Sequence, residues 1–93
     1  MGAPLLADAE VQSKLRELNG WSLSGKEIRK LVELPDFVHA MAFVNSVALL
    51  AERLNHHPDI DIRWNKVTLT LSTHSAGGLT QLDFTLARLI DAL

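Results

Sequence analysis

The chain has 93 residues, 47% of them hydrophobic, and a formal net charge of −2. That length makes one domain, residues 1–93, with a modest core, and that apolar share excludes disorder. Charges of both signs are interspersed and cysteine is absent, which argues against a nucleic-acid footprint, a polybasic membrane patch, disulfides and thiol chemistry.

The N-terminal MGAPLLADAE has no basic segment followed by a long apolar run, so no signal peptide is expected. No run approaches the roughly 18 apolar residues of a membrane span. A cytoplasmic setting suits the lack of cysteine.

Asp8 is placed to cap a first helix, along which Val11, Leu15 and Leu18 recur at helical spacing. Gly20 follows where a left-handed residue is favoured, and Trp21 is expected to pack back onto the helix end. Trp21 to Leu23 and Glu27 to Leu34 read as two short strands around Ser24-Gly25-Lys26. Ile28, Val32 and Leu34 share one face of the second strand, which Lys30 interrupts. Pro35-Asp36 stops that strand and begins a long helix with Asp36 as its N-cap. Phe37, Met41, Val44, Ala48, Ala51 and Leu54 are its expected buried side, and His39 reads as solvated. Pro58 is expected to terminate this helix.

Asp59 to Trp64 alternates, with Ile60, Ile62 and Trp64 pointing one way and Asp59, Asp61 and Arg63 the other. Asn65-Lys66 reads as a two-residue turn with Asn65 at positive φ. Val67, Leu69 and Leu71 continue the apolar face; Thr68, Thr70 and Ser72 continue the polar one. Such a face predicts a sheet with one side free of helices. Ser75-Ala76-Gly77-Gly78 is a loop. Thr80 and Asp83 have capping-box spacing for a final helix whose stripe is Leu82, Leu86, Leu89 and Leu93. The order α-β-β-α-β-β-α predicts an α+β fold of two layers, a four-stranded antiparallel sheet with three helices on one face.

Three of the four histidines fall between Glu52 and Asp83. His56 and His57 precede Pro58, and His74 lies at the far end of the second hairpin. Because a hairpin folds back on itself, the residues that flank it can meet. The three imidazoles are therefore expected to converge on one small-molecule pocket as acid, base and anchor. An imidazole, with an ordinary pKa of about 6.5, serves either role near neutrality. Glu52 either pairs with a surface neighbour such as Arg53 or, one turn before His56, orients that ring. Asp83 either only caps its helix or helps orient the site. The rival reading is zinc held by His56, His57 and His74 with Glu52 or Asp83. Adjacent histidines in an extended segment point apart, which is poor geometry for one metal.

The spacing of Glu52, His56-His57-Pro58, Trp64, His74 and Asp83, with the blocks LNHHPD, WNKVTLTLSTH and GGLTQLD, resembles the signature of the pterin-4a-carbinolamine dehydratases. The resemblance runs from about Leu6 onward, with Leu18-Asn19-Gly20-Trp21 a weaker match. Ile60 departs from it, because many animal members carry an aromatic residue there, and this bears on the fit around the substrate's side chain. The resemblance implies loss of water from 4a-hydroxytetrahydropterin to give the quinonoid dihydropterin in tetrahydrobiopterin recycling, with no metal or other cofactor. Carried over residue by residue, His56 is the base, His74 the acid and His57 the residue that holds the pterin, although the base and acid labels can be exchanged. Glu52 and Asp83 orient them. The substrate also touches His56-His57-Pro58 and Thr73-His74-Ser75-Ala76, partly through main-chain groups. A homodimer or homotetramer is implied, with no nucleic-acid or membrane partner. Some animal members also bind a homeodomain transcription factor, so a protein-binding, dimerisation role without dehydratase activity is the alternative.

Overall fold

Period-two alternation makes β3 (Asp59–Arg63) and β4 (Lys66–Leu71) an antiparallel hairpin, with Ile60 opposite Leu69 and Ile62 opposite Val67. In the computed structural model, which describes residues 2–93, β4 also pairs with β2 (Glu27–Glu33), and β2 with β1 (Ser22–Ser24). The strand order is β1-β2-β4-β3, antiparallel throughout. Ile28, Val67, Leu69 and Leu71 are fully buried on one face of the sheet, with Lys30 and Val32 in the same rows. Arg29, Leu31, Thr68, Thr70, Asp59 and Asp61 occupy the other face, the uncovered side that the threonines imply.

Three helices, α1 (Asp8–Leu15), α2 (Phe37–Leu54) and α3 (Gln81–Asp91), complete the expected α+β order. The cap of α1 differs from expectation. Ala7, not Asp8, is the N-cap, because the Glu10 carboxylate reaches back to accept the Ala7 N–H at 3.1 Å. The helix stops at Leu15, yet Val11 is buried and Leu15 and Leu18 pack against the core. Asp36 caps α2 as expected, accepting the His39 N–H.

The buried faces of two helices agree only in part with those expected. On α2 Ala51 is buried and Val44 and Leu54 pack against the core as expected, but Ala40 and Val47 are buried too, while Phe37 and Ala48 face solvent. This helix is apolar nearly all round, so its periodicity alone does not select a face. Its 18 residues have a mean hydropathy of 1.3, enough by length and composition to span a bilayer. On α3 the buried residues are Asp83, Phe84, Leu86, Ala87 and Ile90, and Leu93 is exposed. A carboxylate inside the buried face hides that stripe from a hydrophobicity pattern.

The second hairpin turns one residue early. Arg63 pairs with Lys66, so Trp64-Asn65 forms the turn, with Trp64 at φ 51° and 67% exposed. Asn65 is drawn inward: its side-chain N–H donates to the Leu34 carbonyl at 2.9 Å, and its own carbonyl accepts the Leu34 N–H at 2.9 Å. That anchoring pushes Trp64 to the tip and off the apolar face.

Lys30, the interruption on β2, meets Asp91 at the end of α3 at 2.8 Å. The same carboxylate accepts the Trp21 indole N–H and the Asn19 amide N–H, each at 2.9 Å. Trp21 is thus buried as expected, but its polar handle is held by α3. Burial pushes the Asp91 carboxyl up, and the Lys30 ammonium with the Asn19 and Trp21 donors outweighs this and holds it below its ordinary value. A depressed carboxyl stabilises the fold above the unfolded-chain pKa and ceases to do so as pH falls through the folded one. Asp91→Asn is therefore expected to lower stability at pH 7 by about 1–3 kcal/mol in urea denaturation. Below about pH 4 the gap between variant and wild type should close.

Candidate active site

The first element of the site is the way α2 ends. Asn55 takes the left-handed conformation (φ 51°, ψ 43°). Its N–H donates to the Glu52 carbonyl at 3.2 Å, and the His56 N–H donates to the Ala51 carbonyl at 3.0 Å. These two bonds close the helix at Leu54, before Pro58 is reached. Pro58 therefore carries the chain into β3 and does not terminate the helix. The one-turn relation between Glu52 and His56 is lost with the helix. The turn drives His56 inward, and Glu52 meets His57 instead, Oε2 to Nε2 at 2.8 Å. Both members of that pair are largely exposed, so solvent screens it.

The ring of His56 is held by Asp83. His56 Nε2 lies 2.6 Å from Asp83 Oδ1. Asp83 Oδ2 accepts the Thr80 N–H at 2.9 Å and the Thr73 hydroxyl at 2.8 Å. Asp83 is 0% exposed. A buried carboxylate costs several kcal/mol unless its oxygens are hydrogen-bonded, and here three donors meet it. The two readings of Asp83 are thus the same fact: one oxygen caps α3 and the other orients His56. Thr73 and Thr80 also join each other, Oγ1 to Oγ1 at 2.8 Å, and Thr80 Oγ1 accepts the Leu82 N–H at 3.2 Å.

His74 opens a single 3-10 turn, His74–Ala76, at the exit of β4. The turn is pinned at its base by Thr73. The Thr73 N–H donates to the Gly78 carbonyl at 2.8 Å, and the Thr73 carbonyl accepts the Ala76 and Gly77 N–H groups at 3.0 Å each. Gly77 closes it at φ 77°, a conformation that glycine adopts without strain. The main chain of Thr73 is therefore engaged within the turn and its hydroxyl lies on Asp83, while His74 and Ser75 are exposed.

His74 lines an open cleft of about 500 Å³ with Ser24, Lys26, Glu27, Ser72 and Gly77. A smaller cleft of about 200 Å³, lined by apolar residues including Leu5, Leu23 and Leu79, adjoins it at Lys26 and Gly77. Neither is lined by His56 or His57. The link between the imidazoles is instead covalent and hydrogen-bonded: His56 to Asp83, Asp83 to Thr73, and Thr73 to its neighbour His74. Among the described residues no three His, Asp or Glu side chains cluster as metal ligands. Sequence reasoning named Thr73 for its main chain and Thr80 for its cap, and missed both hydroxyls as partners within one network. The Thr80-to-Asp83 spacing carried part of that signal; the burial of Thr73 carried none.

The profile of the family described as pterin 4 alpha carbinolamine dehydratase matches residues 4–93. A protein of Roseiflexus sp. (strain RS-1) named "Putative pterin-4-alpha-carbinolamine dehydratase" is 59% identical over 91 residues, covering 98% of each chain. The crystal structure of a transcriptional coactivator/pterin dehydratase from Brucella melitensis superposes with a TM-score of 0.90 at 39% identity, covering 94% of this chain and 95% of that one. A pterin dehydratase-like protein identified as a RuBisCO assembly factor in the alpha-carboxysome gives a TM-score of 0.68 at 25% identity, covering 80% and 88%.

Two isosteric substitutions separate the buried carboxylate from the exposed one. Asn at position 83 would turn an amide N–H toward one of three donors, so Asp83→Asn is expected to destabilise the fold by about 2 kcal/mol or more. Glu52→Gln, at an exposed pair, should change stability by less than about 0.5 kcal/mol. Parallel urea titrations check both.

Proposed function

The chain belongs to the pterin 4 alpha carbinolamine dehydratase family, and we propose that it removes water from a 4a-hydroxytetrahydropterin to give the quinonoid dihydropterin. The observation that carries this reading is the His56 imidazole, oriented by a buried carboxylate and joined through Thr73 to the turn that bears His74. Loss of water needs a base at ring N5 and an acid at the departing hydroxyl. With Nε2 on Asp83, the other nitrogen of His56 is the one left for substrate. His56 takes the N5 proton, the freed electron pair forms the C4a=N5 double bond, and the C4a–O bond breaks. His74 gives its proton to the leaving oxygen, and water departs. One proton is taken and one given, so exchange with solvent restores both rings. His57, tethered by Glu52, holds the pterin. Pro58, Ser75 and Ala76 lie along the same two segments and complete the contact surface. No metal or other cofactor enters this scheme.

Self-association is part of the same proposal. Val38, Ala42, Asn45 and Leu49 form one stripe along α2, and Val38 and Leu49 are 74% and 73% exposed. Apolar surface of that kind on so small a domain favours burial against another chain. A second copy gives the homodimer or homotetramer that the family implies. Contact with a different protein, without dehydration, is the competing reading, and the names of two structural relatives keep it in view.

Stopped-flow decay of a 4a-hydroxytetrahydropterin tests the chemistry. His56→Ala and His74→Ala should each lower kcat more than about tenfold, whereas His57→Ala should act mainly on KM. The His56 and His74 double variant should lose less than the product of the single losses. Small, equal effects from all three would overturn the assignment. Light scattering at micromolar concentration should give a multiple of the monomer mass, and Leu49→Glu should shift it downward. A wild-type monomer would remove the oligomer from the proposal.

A further inference from the structure

The hydroxyls of Thr73 and Thr80 lie outside the chemistry just described, and their hydrogen bonds have only one consistent direction. Each hydroxyl has a single proton to donate. Asp83 Oδ2 already accepts the Thr80 N–H, and the Thr73 oxygen sits 2.8 Å from it. A carboxylate oxygen cannot donate, so the Thr73 proton must point at Asp83. The 2.8 Å contact between the two hydroxyl oxygens then needs the Thr80 proton, directed at Thr73. Thr80 Oγ1 is free to accept, and it takes the Leu82 N–H at 3.2 Å. The polarity therefore runs from the Leu82 amide to the Thr80 hydroxyl, to the Thr73 hydroxyl, to Asp83. From the opposite side the carboxylate receives His56 Nε2 at 2.6 Å.

Resting on the dehydratase reading, we infer that Thr73 and Thr80 are positioning residues that act through Asp83 to fix the proton of His56 on Nε2, leaving its Nδ1 lone pair as the base. Without the Thr73 donor on Oδ2, the carboxyl group can take a proton from solvent onto Oδ1, facing Nε2, which then accepts, and the imidazole's own proton moves to Nδ1. The base would then be blocked at the atom that must face substrate. The backbone N–H of Leu82, in the first turn of α3, anchors the chain's direction because an amide cannot reverse its role. Asp83, Thr73 and Thr80 are all buried, so water does not compete for these protons. The role differs from contact with substrate: the Thr73 hydroxyl is spent on Asp83.

The test reads the ring directly. In protein labelled with ¹⁵N in the histidine imidazoles, long-range proton–nitrogen correlation spectra distinguish the two neutral tautomers of His56 without substrate. Wild type should show the Nε2–H form. Thr73→Val, nearly isosteric, should shift His56 toward a mixture and lower kcat about tenfold at little change in KM. Thr73→Ser, which keeps the hydroxyl, should recover most of both. If Thr73→Val does not fold, Thr80→Val reads the same chain one link further out, with an effect of about threefold. Folded Thr→Val variants with an unchanged tautomer and a kcat within twofold of wild type would overturn the inference. So would Thr73→Ser failing as badly as Thr73→Val, which would assign the effect to packing. A tautomer shift in a protein with no dehydratase activity would sink the functional reading, and with it the role of Nδ1 as base, while upholding the control of the tautomer by Thr73.

Discussion

A carboxylate excluded from water is stable only if the chain brings donors to it, and Asp83 makes this demand on three segments at once. His56 arrives from the end of α2, Thr73 from the end of β4, and Thr80 from the entry to α3. Each donor is itself fixed by a local device: the left-handed Asn55 for His56, the bridge to Gly78 for Thr73, and the helix cap for Thr80. The sheet and helices supply the apolar burial that holds the domain together. The carboxylate ties their ends together, because its burial is tolerable only with these donors in place.

Asp91 solves a related problem at the opposite end of α3. It too gathers donors from separate segments, Asn19, Trp21 and Lys30, and ties the first hairpin to the last helix. The difference lies in the partners. Lys30 is a full cation, and its pairing with Asp91 stays at the edge of the core with both side chains partly accessible. The partners of Asp83 are an imidazole, two hydroxyls in series and an amide, groups whose protons have direction. Asp91 is suited to holding parts together; Asp83 is suited to holding a proton in place.

Much of this was legible in the sequence because local rules and global fold agree. Alternation from Asp59 onward and the Thr80 cap gave elements in the right order, and the histidines and acids singled out by their spacing do pair, His56 with Asp83 and His57 with Glu52. The misreadings have specific physical causes. Helix α2 is apolar on more than one side, so its pattern places Ala51, Val44 and Leu54 toward the core but does not single out Ala40 and Val47. Asn55 ends that helix by its own left-handed geometry, which Pro58 further along disguised. As a result, of the two readings of Glu52, the turn toward His56 gives way to an exposed pair with a neighbour, which a reversal of the chain makes His57. Alternation puts Trp64 on the same face as Ile60 and Ile62; the side chain of Asn65 overrides this. The hydroxyl chain had no sequence signal beyond the Thr80 cap, since nothing in the pattern around Thr73 marks it as buried.

The strand order has a bearing on how the molecule reaches its native state. Strand β4 is central, between the sequence-local β3 and the distant β2. The hairpin β3–β4 closes quickly through a two-residue turn, whereas docking β2 against β4 closes a much longer loop and is entropically harder. The pair of His56 and Asp83 spans 27 residues across that same hairpin. It joins the exit of α2 to α3, so it requires both helices to be settled on the sheet. A chain caught part-way, with its hairpin formed and its helices loose, would carry every residue of the site and none of its geometry. The site's geometry is therefore a cooperative property of the finished fold.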